Sequence, residues 1–230
     1  MIKSVFISGA AGNLGKAVCR KFLKEDWKVV AAVGPSDDLK FISHQNLKAF
    51  KIDLSDEPKT EKLLEEISDN QGPFSMAIFT VGGFSMGRFT ETGLGDIRKM
   101  FQLNFETAYT SARIFFQHFL KAKMKGRMIL IGARPGLNLN LASDMVAYGL
   151  SKSLVIGLSE IINASGQESG VDAAVIIPSI IDTPANRRAM PGADFNKWVK
   201  PEYLAENVYF LSTPAGWQQR AVIFKLYGDS

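Results

Sequence analysis

The 230-residue chain is poor in the side chains that build metal centres and covalent cross-links: one cysteine, Cys19, and two histidines, His44 and His118. A single thiol cannot close an internal disulfide, and one thiol with two imidazoles is too few for the usual transition-metal ligand set. No metal is expected. Long apolar runs are missing too, since nothing approaches the ~20 residues that cross a bilayer as a helix. The first residues enter a strand-like run at once, without the charged, apolar and small-residue order of a cleavable leader. A cytoplasmic protein with no membrane partner is the expectation. No Gly/Ser linker, repeat or low-complexity tract divides the chain, so residues 1–230 read as one domain. The net charge of +4 is spread along the sequence. Its densest basic tract, Lys121-Ala122-Lys123-Met124-Lys125, reads as the solvated end of a helix, where cations are favoured. A nucleic-acid partner is therefore not expected.

What the chain does have is a regular alternation of two patterns. Val5-Phe6-Ile7, Val29 to Val33, Ala49 to Ile52, Met76 to Val81, Met128 to Ile131, Ala173 to Ile177 and Ala221 to Leu226 are short apolar runs that read as strands. Amphipathic stretches near 14–25, 57–68, 94–122, 147–166 and 201–211 separate them. Continuous apolar strands are expected where both sheet faces are buried. The alternation predicts an α/β fold, a doubly wound and mostly parallel seven-stranded sheet with helices on both faces. Residues 182–200 break the rhythm with weak periodicity around Pro184, Pro191 and Gly192. Long irregular segments in compact domains are commonly functional, and 184–200 reads as a substrate lid.

The first strand runs directly into Ser8-Gly9-Ala10-Ala11-Gly12-Asn13-Leu14-Gly15, which opens a helix. Gly9 permits a tight turn, Gly12 a close backbone approach, and Gly15 close packing of helix on strand. Free N–H groups and the helix dipole then face a pyrophosphate. The three-residue glycine spacing departs from the G-x-G-x-x-G fingerprint. A dinucleotide is the ligand expected at this turn. An acid at the end of the second strand would grip the adenosine ribose, but the chain reads Val33-Gly34-Pro35-Ser36-Asp37-Asp38. Gly34 stands at that place and the carboxylates come late, while Lys16 could attract a 2′-phosphate. The choice between NAD and NADP stays open.

Tyr148-Gly149-Leu150-Ser151-Lys152 sets a phenol and an ammonium four residues apart, on one face of a helix. A cation beneath a phenol favours the phenolate and lowers its pKa from about 10, which makes Tyr148 a candidate general acid. Spacing alone is a weak signal, because Tyr109 and Arg113 share it. The order in which such features occur is more specific.

The glycine turn, Asp53 after the third strand, Asn104 in a long helix and the Tyr148/Lys152 pair together resemble the short-chain dehydrogenase/reductase family over essentially the whole chain. That resemblance implies a Rossmann-type fold and a nicotinamide cofactor, NAD(P)H. It implies that Gly9, Gly12, Asn13, Leu14 and Gly15 hold the pyrophosphate, with Asp53 and Leu54 at the adenine. Gly82 and Gly83 would lie beside the adenosine ribose, and Pro178 and Thr183 beside the nicotinamide. Asn104 would hold its helix open and anchor a proton path toward Lys152, which would bind the nicotinamide ribose. Simpler roles stand beside these: Asn104 as a satisfied helix residue, Asp53 as a helix N-cap, and Tyr148 as an interface aromatic. The resemblance also implies a homodimer or homotetramer, paired through the helices near 94–122 and 147–166.

Ile131-Gly132-Ala133-Arg134-Pro135 departs from the family pattern, because Ala133 stands where the family usually keeps a substrate-binding serine. Ser143, closer to Tyr148, could substitute from its loop. The dihydropteridine reductase branch of the family lacks that serine too, its substrate being an already electrophilic quinonoid ring. Asp182-Thr183-Pro184-Ala185-Asn186-Arg187-Arg188-Ala189-Met190-Pro191-Gly192-Ala193-Asp194-Phe195-Asn196-Lys197-Trp198 resembles the segment after the sixth strand in that branch, and Gly82-Gly83-Phe84 resembles its Gly-Gly-aromatic turn. Phe84, Ala133 and Met190 are thus the candidate substrate contacts, Phe84 by stacking on a flat heterocycle. The expectation is NAD(P)H-dependent reduction of a small molecule, a quinonoid dihydropterin or similar flat electrophile, with Tyr148 as proton donor. The alternatives are a general carbonyl or quinone reductase and a non-catalytic NAD(P) sensor.

Overall fold

The computed structural model describes residues 3–71 and 73–229. Seven strands form one sheet: β1 (Ser4–Ser8), β2 (Lys28–Val33), β3 (Leu47–Lys51), β4 (Met76–Phe79), β5 (Gly126–Ile131), β6 (Val171–Pro178) and β7 (Ile223–Leu226). Their order is β3-β2-β1-β4-β5-β6-β7, and every pairing is parallel. The expected doubly wound, seven-stranded sheet is present, and its pairings are all parallel. Helices α1 (Asn13–Lys24), α2 (Glu57–Gln71), α3 (Leu94–Phe101), α4 (Thr107–Lys121), α5 (Arg134–Leu137), α6 (Val146–Ser165), α7 (Pro184–Ala189), α8 (Pro201–Phe210) and α9 (Pro214–Trp217) complete the chain.

Alternation along a strand explains the two layers. Val5 and Ile7 of β1 join the core under α1 and α8, whereas Phe6 between them joins the opposite core under α4 and α6. The strand order reverses at β1 and β4, and at such a switch point the loops after the strands diverge and leave a crevice. Both the Gly9 turn and the Thr80–Gly83 loop leave the sheet there. Among the described residues, no helix is long and apolar enough to cross a membrane.

Several boundaries differ from those the sequence predicts. β7 starts at Ile223, because Ala221 has φ +52°, a left-handed value incompatible with a strand. β4 stops at Phe79, two residues short of Val81. The stretch 94–122 is not one α-helix: a π-helical turn at Gln102–Glu106 divides it into α3 and α4. The 182–200 segment is more ordered than its composition suggests, holding α7 and a 3₁₀ turn at Phe195–Lys197.

At the end of the sheet away from the crevice, Arg127 of β5 and Asp172 of β6 form a buried bidentate pair, with both nitrogen–oxygen distances 2.7 Å. The guanidinium also donates to the carbonyls of Leu211, Gly216 and Gln219 and lies 4.7 Å over the Trp217 ring. One side chain thereby ties β6 and the α8–α9 corner to β5.

Candidate active site

The turn after β1 requires its glycines. Gly9 has φ +64°, and a Cβ there would stand 2.8 Å from Thr80 Oγ1 and 2.9 Å from Val81 N. A Cβ on Gly15 would stand 2.2 Å from the Gly9 carbonyl oxygen. Gly12 is the N-cap of α1, and no side chain caps the helix. The first-turn N–H groups and the positive end of the dipole are therefore available to an anion. An adjoining pocket is lined by Gly9, Gly34, Pro35, Ile52, Asp53 and Leu54, with Val81, Leu103 and Thr107 on its other wall. A glycine cradle beside a narrow, largely apolar slot fits a pyrophosphate followed by a flat base.

Asp53 lies at this pocket, and its Oδ1 accepts bonds from Ser55 Oγ at 2.7 Å and Ser55 N at 3.0 Å. The Ser55 hydroxyl bond, seconded by the backbone one, holds the carboxyl below its usual pKa. Asp53 does not cap the next helix. That role falls to Asp56, which accepts from Lys59 N ahead of α2.

The switch point brings together Asn104, Gly82, Gly83 and Lys152. Asn104 lies in the π-helical turn, an insertion that pushes one residue out of helical register, and it is buried. Its Oδ1 accepts from Gly83 N at 2.8 Å, while its Nδ2 donates to Gly83 O at 3.1 Å and Ser151 Oγ at 2.9 Å. Ser151 Oγ in turn donates to the Tyr148 carbonyl at 2.8 Å. Ser151 is a supporting residue that spacing alone did not single out, since a serine inside a helix has no distinguishing pattern. A Cβ on Gly82 would fall 2.7 Å from Asn104 Oδ1 and 3.2 Å from Lys152 Nζ, so this backbone comes close because it carries no side chain.

Tyr148 and Lys152 share a face of α6, as the spacing predicts, but their electrostatics differ from the simple expectation. Lys152 is buried and its Nζ donates to the Ile131 carbonyl at 2.8 Å. Burial lowers its pKa from 10.5 to about 8. Burial also pushes the Tyr148 phenol up to about 12. In this arrangement desolvation outweighs any lowering by the ammonium, and the phenol is held protonated. Phe84, 59% exposed, meets Tyr148 edge-on with ring centroids 5.0 Å apart.

Ala133 is buried immediately after β5, and Ser143, the candidate substitute, is exposed to solvent. Pro178 ends β6. Beyond it, Asp182 N donates to Val199 O and Val199 N donates to Ile180 O, closing a neck around the excursion 182–198. Thr183 caps α7 by accepting from Asn186 N, and no residue of α7 is buried. Trp198 and Val199 near the end of the segment are buried, and Lys200 after them is exposed. Met190 lies at its exposed tip, 36% accessible. An Asp182–Arg187 bidentate pair, with Arg187 over the Phe195 ring, stiffens the excursion from within.

The family model of the short chain dehydrogenases matches residues 3–193. The chain is 26% identical over 217 residues to dihydropteridine reductase of Dictyostelium discoideum, covering 93% of this chain and 89% of that protein. It is also 26% identical over 205 residues to dehydrogenase/reductase SDR family member 6 of Aquarana catesbeiana, covering 88% and 81% respectively. The solved structure of ElxO with NADP bound has a TM-score of 0.90 at 22% identity and covers 99% of this chain and 98% of that one. At that identity the structural likeness establishes the fold.

Proposed function

Because the chain belongs to the short-chain dehydrogenase family of NAD(P)-dependent oxidoreductases, we propose that it reduces a quinonoid dihydropterin or a similarly flat electrophile, with Tyr148 as the proton donor. The observation that carries this reading is a phenol held protonated beside an exposed ring, Phe84, in a site where Ala133 supplies no hydroxyl. A ketone normally needs its carbonyl polarised by a second hydrogen bond, often a large electrostatic contribution. A quinonoid ring is already electrophilic and depends less on such help. The similarity to the Dictyostelium dihydropteridine reductase supports the same substrate class.

Gly9, Gly12, Asn13, Leu14 and Gly15 would hold the cofactor's pyrophosphate, and Asp53 and Leu54 its adenine end. Gly82 and Gly83 would lie against the adenosine ribose, with Pro178 and Thr183 beside the nicotinamide. When bound, the reduced nicotinamide supplies the hydride. The protein aligns and protonates. Tyr148 presents its O–H to the substrate, and Phe84 offers a ring edge and face to a flat heterocycle. Asn104 fixes the Gly83 backbone and, through Ser151, the Tyr148 turn of α6. Met190 and the 182–198 excursion would cover the substrate and exclude water.

Lys152 stabilises negative charge left on the phenol once the proton has gone, and it can do so only while it carries its own charge. Its pKa near 8 sets the window. The ammonium is present below that pH and lost above it, so the reductive kcat/KM should fall about tenfold per pH unit beyond about 8. A profile flat through pH 10 would remove the Lys152 charge from the mechanism.

The exposed faces of α4 and α6 suit a two-fold contact between copies. Leu150, Leu154 and Ile161 form an apolar stripe along α6, and Tyr109 lies exposed on α4. A homodimer through this stripe is part of the proposal.

The test of the substrate assignment is consumption of reduced nicotinamide with freshly generated quinonoid dihydropterin, quinones and simple ketones in parallel. Fast turnover of the pterin supports the reading. Fast ketone reduction without pterin turnover would make the protein a general carbonyl reductase, and cofactor binding without any turnover would make it a sensor.

A further inference from the structure

After β4 the chain runs beside α6, and three contacts fix its course. A Cβ on Gly82 would fall 3.2 Å from Lys152 Nζ, and the Phe84 ring meets that of Tyr148 with centroids 5.0 Å apart. Further on, Gly87 pairs with Met145, the N-cap of α6. The segment thus leads from the buried lysine, past the tyrosine, out to the start of the helix. Its exposure alternates: Gly82, Phe84 and Met86 are exposed, whereas Val81, Gly83, Ser85 and Gly87 are partly covered. Side chains two apart in an extended chain project to one side, so Met86 shares the face on which Phe84 meets Tyr148. Gly83, on the opposite face, is held by Asn104 through both of its backbone groups. The outer end is fastened as well. Gly87 N donates to Asp144 O at 2.8 Å, Val146 N donates to Gly87 O at 3.1 Å, and Arg88 pairs with the Asp144 carboxylate.

Phe84 is 59% exposed and Met86 64%. A single exposed apolar residue needs no explanation, but two on one face, beginning at the proton donor, make a continuous apolar strip. We propose that the substrate carries an extended apolar substituent, which leaves the reacting ring at Tyr148 and lies along Phe84 and Met86. Continuity with the reacting site identifies the occupant. The strip starts at the ring that meets Tyr148, and it is held at both ends, so its position relative to the tyrosine is fixed. Met86 lies about 7 Å beyond Phe84, the span of two extended residues, so a chain of a few methylenes on a ring bound at Tyr148 reaches it. The proposal rests on the reading of Tyr148 as the acid of a flat-electrophile reductase, and it narrows the substrate to the lipophilic members of that class.

The experiment measures kcat/KM, at saturating reduced nicotinamide, for para-benzoquinones and quinonoid dihydropterins that carry methyl, propyl or pentyl side chains. The natural chain, Met86→Ser and Phe89→Ser are compared. Phe89 is exposed at the turn beyond Gly87, off the strip, and controls for general loss of apolar surface from the loop. In the natural chain the pentyl member of the reduced series should exceed the methyl member at least about tenfold, full burial being worth up to about fourfold per methylene. Met86→Ser should cut that pentyl-to-methyl ratio at least about fivefold, and Phe89→Ser should leave it within about twofold. A ratio near unity in the natural chain, or one that Met86→Ser does not move, would overturn the assignment while the reductase reading stands. A ratio near unity accompanied by dissociation of an oligomer in Met86→Ser would give the strip to a second copy of the chain, and would overturn it equally. Failure of every member of both series to be reduced would instead overturn the flat-electrophile reading, and this inference with it. Melting temperatures matching the natural chain check that both variants are folded.

Discussion

Tyr148→Phe is expected to lower turnover by roughly 10²–10⁴-fold, the range a positioned general acid commonly supplies, while leaving dinucleotide affinity within about twofold. The substitution removes one oxygen and keeps the ring. The edge-on contact with Phe84 at 5.0 Å between centroids survives, as does the backbone bond that Ser151 makes to the carbonyl of residue 148. What disappears is the O–H that burial keeps protonated. Steady-state rates with saturating cofactor, paired with a binding titration, separate the two effects. If kcat held and affinity dropped, Tyr148 would be a binding aromatic and not the acid.

Asp172→Ala is expected to destabilise the fold by about 3–5 kcal/mol, the usual consequence of removing one partner from a buried ion pair. The Asp172 side chain is 4% exposed and that of Arg127 1%, so solvent screens neither. Arg127 would keep its three carbonyl acceptors but lose the only buried counter-charge described beside it, and Arg220, the other cation paired with Asp172, would lose the same carboxylate. For a chain of this size, such a loss lowers the melting temperature by roughly 10 °C. Because the pair lies at the far end of β5 and β6, the folded fraction should keep its kcat at low temperature. Denaturant unfolding measures the first effect and initial rates the second. A loss below about 1 kcal/mol would mean that solvent reaches the pair.

The parts of this molecule that were legible in its sequence share a simple physical cause. Seven apolar runs separated by amphipathic stretches imply a parallel sheet, because only burial on both faces makes continuous apolar strands useful. Gly9 and Gly15 announced the turn after β1, since a Cβ at either would collide with neighbouring atoms. The i, i+4 spacing placed Tyr148 and Lys152 on one face of α6. Other features were hidden because they arise from tertiary contact. The π-helical turn that carries Asn104 has no side-chain signature, only an extra residue between hydrogen-bonding partners. Spacing suggested that Lys152 would lower the Tyr148 pKa, but it could not reveal that Lys152 is buried, that desolvation raises the half-buried phenol, and that Nζ turns to the Ile131 carbonyl. Asp56, not Asp53, caps α2, a choice between two nearby acids that depends on where the helix begins.

The central claim is that a protonated Tyr148 works here without a hydroxyl at Ala133, on a substrate already primed to accept hydride. Its most direct test is the ratio of kcat/KM for quinonoid dihydropterin to that for a simple ketone, measured in the natural chain and in Ala133→Ser. The account predicts a ratio above about 10² in the natural chain, falling at least about tenfold in the variant as the new hydroxyl polarises the ketone carbonyl. A natural chain that reduces the ketone as well as or better than the pterin would contradict it.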